Sequence, residues 1–222
     1  EAKRNGGAAC CFFEPRMVEG AREQIDLLRD LRHAITHNEL ELYYQPKVHA
    51  PSGQITGAEA LMRWHHPTRG MVGPVIFIPL AERFGLINAL GNWLIEDVCR
   101  QIRTWLDQGL RMRVAINLSV HQLRQPDLVE RITGALKRHN VEPSLLTCEL
   151  TESAAMEDAR VTSHLIEQLT AAGVHLSIDD FGTGYSSLSY LRELAADKLK
   201  IDRSFVRDLE HSADARAIVD AV

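Results

Sequence analysis

Ile55-Thr56-Gly57-Ala58-Glu59-Ala60-Leu61-Met62-Arg63-Trp64 alternates like a β-strand and carries a carboxylate, Glu59, in an otherwise apolar stretch. Burying an unpaired carboxylate is costly, so Glu59 requires a partner or a task. Five further strand-like runs share this design. Together the six end, or nearly end, with Gln45, Glu59, Asn117, Glu149, the pair Asp179-Asp180, and Lys200, and helical stretches separate most of them. Strand tips that carry chemistry describe the mouth of a (β/α) barrel.

Outward from Glu59, the preceding run Leu40 to Val48 is the first strand, and Pro46 is expected to stop its regular pairing. The following His65-His66-Pro67-Thr68-Arg69-Gly70 is rich in turn formers and reads as a loop in which neither histidine has a spaced metal partner. Ile87, Leu90, Leu94, Val98, Ile102 and Leu106 then keep a helical rhythm until Gly109. Strand three is Arg113 to Leu118, and Leu128, Ile132 and Leu136 mark a helix face. Strand four is Leu145 to Leu150, with Cys148 as a core residue. Val161, Leu165 and Leu169 precede strand five, Val174 to Ile178, and Leu188, Leu191 and Leu194 precede strand six, Lys198 to Ile201. A last helix begins at Asp214. This alternation points to a parallel α/β barrel. A closed barrel has eight strands and about 250 residues, so a chain with six is expected to be C-terminally incomplete, with an open edge at the sixth strand.

Before the first strand, Ile25, Leu28, Leu31 and Ile35 recur at helical spacing, so residues 21–38 read as an amphipathic linker helix whose apolar stripe needs a partner surface. Residues 1–20 differ, with a fraying start and a short strand Cys10 to Phe13, and read as the tail of a preceding domain.

The 222 residues are 45% hydrophobic, enough for one substantial core. The net charge of −5, from 25 basic and 30 acidic residues, provides no basic stripe for a DNA or RNA polymer and no polybasic membrane patch. Cysteines 10, 11, 99 and 148 lack CxxC spacing and suit a reducing cytoplasm better than a disulfide framework. A membrane anchor would have to lie in segments outside this chain.

Glu59, Asn117, Glu149 and Asp179 offer hard oxygen ligands from four successive strands, the donor set of Mg²⁺ or Mn²⁺ rather than zinc. Asp180 is placed to help hold a second ion, and a pair of ions is a standard device for attacking a phosphodiester. Lys200 adds positive charge for a phosphate or for orienting water, and Arg63 can fork onto a phosphate oxygen. Each has a bland alternative. Asp179-Asp180 and Asn117-Leu118-Ser119 read equally as turns and caps, whereas two apolar strands each holding a glutamate, Glu59 and Glu149, favour a site. Glu152 either caps the next helix or braces a neighbouring loop. Gly182-Thr183-Gly184-Tyr185-Ser186-Ser187 lacks the third glycine of a dinucleotide fingerprint and reads as a mobile loop beside the site.

Residues 39–222 closely resemble the EAL-domain cyclic-di-GMP phosphodiesterases. The resemblance is carried by Tyr43-Tyr44-Gln45-Pro46, Glu59-Ala60-Leu61-Met62-Arg63-Trp64, Phe77-Ile78-Pro79-Leu80-Ala81-Glu82, Ile116-Asn117-Leu118-Ser119, Glu149-Leu150-Thr151-Glu152, Ile178 to Ser187, and Leu199-Lys200-Ile201-Asp202. It implies a TIM-like (β/α) barrel of the EAL type and hydrolysis of cyclic-di-GMP to linear pGpG by a metal-activated water. Glu59, Asn117, Glu149 and Asp179 would bind Mg²⁺ or Mn²⁺, Asp180 would serve a second ion, and Ca²⁺ would inhibit. Lys200 would contact the catalytic water, Gln45, Arg63 and Asp202 the dinucleotide, and Glu152 would anchor the loop 182–187. The family also carries a glutamate on its seventh strand and a glutamine on its eighth, so the isolated chain is expected to turn over negligibly. A noncatalytic cyclic-di-GMP receptor is the alternative. Residues 1–17 resemble the end of a GGDEF domain, and the family suggests a homodimer formed near residues 182–196, with sensor domains upstream.

Overall fold

The structure, a computed structural model, describes residues 15–157, 159–182 and 196–209, together with Arg216 and Val219. The expected strand Cys10 to Phe13, the helix through Leu188, Leu191 and Leu194, most of the proposed dimer segment and nearly all of the last helix lie outside the described residues.

Helix α1 (Pro15–Ala34) leads into a hairpin of β1 (Leu40–His49) and β2 (Gln54–His66), followed by a short β3 (Gly70–Val72). Then come α2 (Pro74–Arg83), α3 (Ile87–Asp107), β4 (Arg113–Asn117), α4 (Val120–Leu123), α5 (Leu128–Arg138), β5 (Leu146–Thr151), α6 (Glu152–Glu157) and α7 (Ala159–Ala171). Strands β6 (His175–Phe181) and β7 (Lys198–Ile201) and a short α8 (Arg203–Asp208) complete the described elements. The sheet order is β1-β2-β4-β5-β6-β7, with β3 beside β2. From β2 onward every neighbour on that path is parallel.

All six expected strands are present, but β1 departs from the expected parallel arrangement. It pairs antiparallel with β2, Gln45 opposite Glu59, because only a tight turn separates them and a parallel pair needs a long crossover. Nor does Pro46 stop the pairing. It sits opposite Ala58, and the ladder runs on to His49 with one irregularity after Lys47. β1 is hydrogen-bonded on one side among the described residues, and an edge strand tolerates a residue without an N–H. The expected loop at His65-His66 is instead strand, with both residues paired to β3. The helical rhythm from Ile87 to Leu106 is the single helix α3, and a second helix, α2, precedes it across a break at Phe84 to Leu86, where Gly85 has φ 74°.

The larger core explains why the strand tips face inward. Val114 and Ile116 of β4, Leu146, Cys148 and Leu150 of β5, and Leu176 and Ile178 of β6 bury one sheet face against α3, α5 and α7. Strand side chains alternate between faces, so Ala115 and Asn117, Thr147 and Glu149, and Ser177 and Asp179 fall on the other. Cys99 and Cys148 are buried free thiols in this core, both pushed up to about 12 by burial.

A second core joins α1 to the sheet. Leu27, Leu28, Leu31 and Ala34 pack with Trp64, Phe77, Leu80 and Leu90, which supplies the partner surface the linker stripe required. The stripe is rotated from the expected one, leaving Ile25 exposed. Polar contacts fix the same junction. Glu39 accepts from Trp64 Nε1 at 3.1 Å and pairs with His33, while buried His66 holds Asp30 at 3.2 Å.

Candidate metal centre and active site

Three carboxylates converge from three strands. Oxygens of Glu59 on β2, Glu149 on β5 and Asp179 on β6 all lie within 4.8 Å of one another. Glu149 is fully buried and the other two are partly so. Like charges this close repel unless a cation sits among them. Lys200 supplies one. Its Nζ donates to Glu149 Oε2 and Asp179 Oδ2 at 2.7 Å each and to Glu59 Oε2 at 3.1 Å. Burial works against this ammonium, but the hydrogen bonds to Asp179 and Glu149 outweigh it and hold its pKa well above the usual lysine range. Glu59 moves the other way: burial opposes ionisation, yet the bonds from Asn117 and Lys200 keep its carboxyl below the ordinary range.

Backbone geometry brings Asp179 to Lys200. The β6–β7 ladder pairs Ile178 with Leu199 and then Phe181 with Ile201, so Asp179 and Asp180 stand opposite the single residue Lys200. Alternation already sets Asp179 on the inner face, and the extra residue, Asp180, is the one the bulge displaces before pairing resumes at Phe181. Asp180 takes φ 54°, a conformation that a short polar side chain tolerates, and its N–H caps Asp179 Oδ1 at 2.9 Å. The Asp180 carboxyl is not part of the converging triad, and burial followed by its neighbours Asp179 and Asp202 raises its pKa.

Asn117 is bonded to Glu59 through Nδ2, which donates to Oε1 at 2.8 Å. A carboxylate only accepts, so the amide nitrogen must face Glu59, and Oδ1 is left for a cation. Glu152 is buried at the start of α6, and its Oε2 accepts from Gly182 N at 2.7 Å. Of the two readings of this residue, the structure supports the brace on the neighbouring loop. Gly182 itself has φ 100°, and a Cβ there would lie 2.7 Å from Phe205 Cε2, so a side chain is excluded twice. The rest of the expected mobile loop lies outside the described residues.

The substrate candidates stand around the carboxylates. Gln45 faces Glu59 across the β1–β2 ladder and lines a cavity of about 430 Å³ with Glu59, Glu149 and Lys200. Arg63 is further along β2, its Nη1 on Met62 O at 2.8 Å and its guanidinium 5.4 Å from the Tyr43 ring centroid. Asp202 is half-buried and caps α8, accepting from Ser204 N at 2.8 Å. The sequence reading missed Lys47, whose Nζ lies 2.5 Å from Glu149 Oε1. Its signal was the alternation Tyr43, Gln45, Lys47, which ending the strand at Pro46 concealed.

The donor set fits a hard divalent cation: three carboxylates and an amide oxygen, with no thiolate or imidazole among the converging groups. Strand tips bearing an acidic cluster with a lysine at its centre form a candidate divalent-cation site at the mouth of a barrel-like sheet. The comparisons with known proteins agree. The family model described as EAL domain matches residues 28–222, and the chain belongs to that family, whose structures are TIM-like barrels. The chain is 51% identical over 222 residues to the bifunctional diguanylate cyclase/cyclic di-GMP phosphodiesterase MucR of Pseudomonas aeruginosa, all of this chain matching 32% of that protein. It is 38% identical over 221 residues to the cyclic di-GMP phosphodiesterase PdeR of Escherichia coli, covering 33% of it. A solved structure of the PaMucR phosphodiesterase in complex with c-di-GMP superimposes with a TM-score of 0.85 at 52% identity, over 89% of this chain and 80% of that one. The chain thus spans about a third of the length of these two full-length relatives.

Proposed function

We propose that this chain is the catalytic domain of a cyclic-di-GMP phosphodiesterase that cleaves one phosphodiester bond to give linear pGpG. The observation that carries this reading is the convergence of Glu59, Glu149 and Asp179 on the Lys200 ammonium. The names of the relatives MucR and PdeR support it.

Glu59, Asn117, Glu149 and Asp179 hold Mg²⁺ or Mn²⁺ in this reading, and Asp180 serves a second ion. Such ions, when bound, supply charge neutralisation of a phosphoryl oxygen and acidify water. The protein does the rest. Lys200 orients the attacking water and holds the carboxylates at a fixed separation, Gln45, Arg63 and Asp202 position the dinucleotide, and Glu152 keeps Gly182 against the site. Ca²⁺ inhibits. The domain works as a homodimer, in a cytoplasmic compartment, behind a GGDEF domain and sensor domains.

The test is Mg²⁺-dependent hydrolysis of cyclic-di-GMP by the natural full-length protein beside its Glu59→Ala variant. Turnover to pGpG that disappears in the variant establishes enzyme and metal site together. Tight binding without turnover would replace the enzyme with a receptor.

A further inference from the structure

Glu149 is the most enclosed of the three carboxylates, and both its oxygens are taken by lysines. Oε2 accepts from Lys200, whereas Oε1 accepts from Lys47 at 2.5 Å. Lys47 comes from β1, the antiparallel strand, and reaches Glu149 across a lumen in which its ladder partner, Gly57, has no side chain. A residue larger than glycine at 57 would bring its Cβ to 2.8 Å from the Arg113 carbonyl oxygen. The Lys47 side chain is a third exposed, and that of Glu149 is not exposed at all. Neither the candidate ligands nor the candidate substrate contacts account for this second ammonium.

Resting on the reading of the carboxylates as a metal centre, we propose that Lys47 is a positioning residue that holds Glu149 by one oxygen and moderates the centre's affinity for divalent cations. Three carboxylates and two ammonium groups leave one net negative charge; without Lys47 there would be two. A cation held by Glu149 would lie within a few ångströms of Lys47, where like charges repel even at an effective dielectric of about 20. With Lys47 in place the ion is held and still exchanges, and Glu149 cannot turn its bound oxygen away.

The experiment is an electron paramagnetic resonance titration of free Mn²⁺ against the natural full-length protein, counting only the binding that Glu59→Ala abolishes. Lys47→Met is expected to bind Mn²⁺ about tenfold more tightly, equivalent to about 1.4 kcal/mol. Lys47→Gln, which keeps a donor for Glu149 but no charge, should behave the same way and serves if Lys47→Met does not fold. Lys47→Arg restores the charge and should stay within about threefold of wild type, because the repulsion depends on charge. Affinity unchanged or weakened in the neutral variants, or Lys47→Arg behaving like them, overturns the proposal. Absence of any Glu59-dependent Mn²⁺ binding in the wild type overturns it together with the reading beneath it.

Discussion

Asp179 Oδ2 and Lys200 Nζ meet at 2.7 Å across the β6–β7 ladder, at the point where β6 carries two residues, Asp179 and Asp180, and β7 carries one. Alternation from Ser177 already puts Asp179 on the face of Glu149, the extra residue Asp180 lets the pairing resume at Phe181, and Lys200 joins Asp179 to Glu59 and Glu149. Removing the ammonium while keeping the stem should therefore disable the site without unfolding the sheet. Lys200→Met is expected to lower kcat for cyclic-di-GMP hydrolysis by about 10²-fold or more, the scale of losing one charged group aimed at the reacting centre. Far-UV circular dichroism should be unchanged. Turnover within about threefold of wild type would show that Lys200 only neutralises charge in the resting site.

Asn117 holds Glu59 by Nδ2, which fixes both the carboxylate and its own amide oxygen. Asn117→Ala is expected to weaken Mg²⁺ activation by about 10- to 100-fold, the usual cost of losing a group that orients a ligand. Turnover should be partly recovered at high Mg²⁺. Activation at the wild-type Mg²⁺ concentration would mean that Glu59 needs no such support.

The buried Glu152 carboxylate accepts from Gly182 N, so it is expected to hold the chain just after the bulge. Glu152→Ala leaves that N–H without this acceptor, at a cost of about 1–3 kcal/mol. Amide hydrogen exchange at Gly182 should quicken and kcat should fall, with Mg²⁺ affinity little changed. Slow exchange at Gly182 in the variant would remove the brace from the account.

Asp30 ties α1 to β2 through buried His66, whose Nδ1 accepts from the N–H groups of Thr68 and Arg69, so Nε2 is the nitrogen that faces Asp30. Burial raises the Asp30 pKa, but the bond with His66 and those from Arg29 prevail and lower it overall. A carboxyl with a depressed folded pKa contributes stability above its unfolded value, near 4, and loses it as the pH falls through the folded value. Asp30→Asn should accordingly cost about 1 kcal/mol in urea unfolding at pH 7, and that cost should shrink steadily as the pH falls below about 4. An equal cost across that range would mean that packing, not charge, is what Asp30 provides.

The parallel strands and their inward carboxylates were legible because alternation assigns each residue to a face: Cys148 to the helices, Glu149 to the lumen. Three features were not. The antiparallel start of the sheet depends on the short connection between β1 and β2, which strand periodicity does not encode. The Asp179-Asp180 bulge is a mismatch with β7, a property of two strands that neither shows alone. Lys47 lies beyond a proline that would end a central strand but is harmless at an edge, and its partner Glu149 is 102 residues away. Long-range register is what a single stretch of sequence lacks, and the bulge and the Lys47 contact were missed for that reason.

Ion choice should follow from the same ladder. The oxygens of Glu59, Glu149 and Asp179 lie within 4.8 Å of one another and project from hydrogen-bonded strands, so the backbone cannot spread to admit a larger ion. Mg²⁺ takes six ligands at about 2.0–2.1 Å, whereas Ca²⁺ takes six to eight at about 2.3–2.6 Å and tolerates irregular arrangements. Ca²⁺ can enter the carboxylates but would leave water and phosphate loosely held, away from the octahedral geometry that a preorganised attack requires. The expected outcome is no turnover of cyclic-di-GMP with Ca²⁺ alone, and inhibition of the Mg²⁺-supported reaction that added Mg²⁺ relieves competitively. Turnover with Ca²⁺ at the Mg²⁺ rate would mean that these strands yield to the ion, and the rigidity argued from the ladder would be wrong.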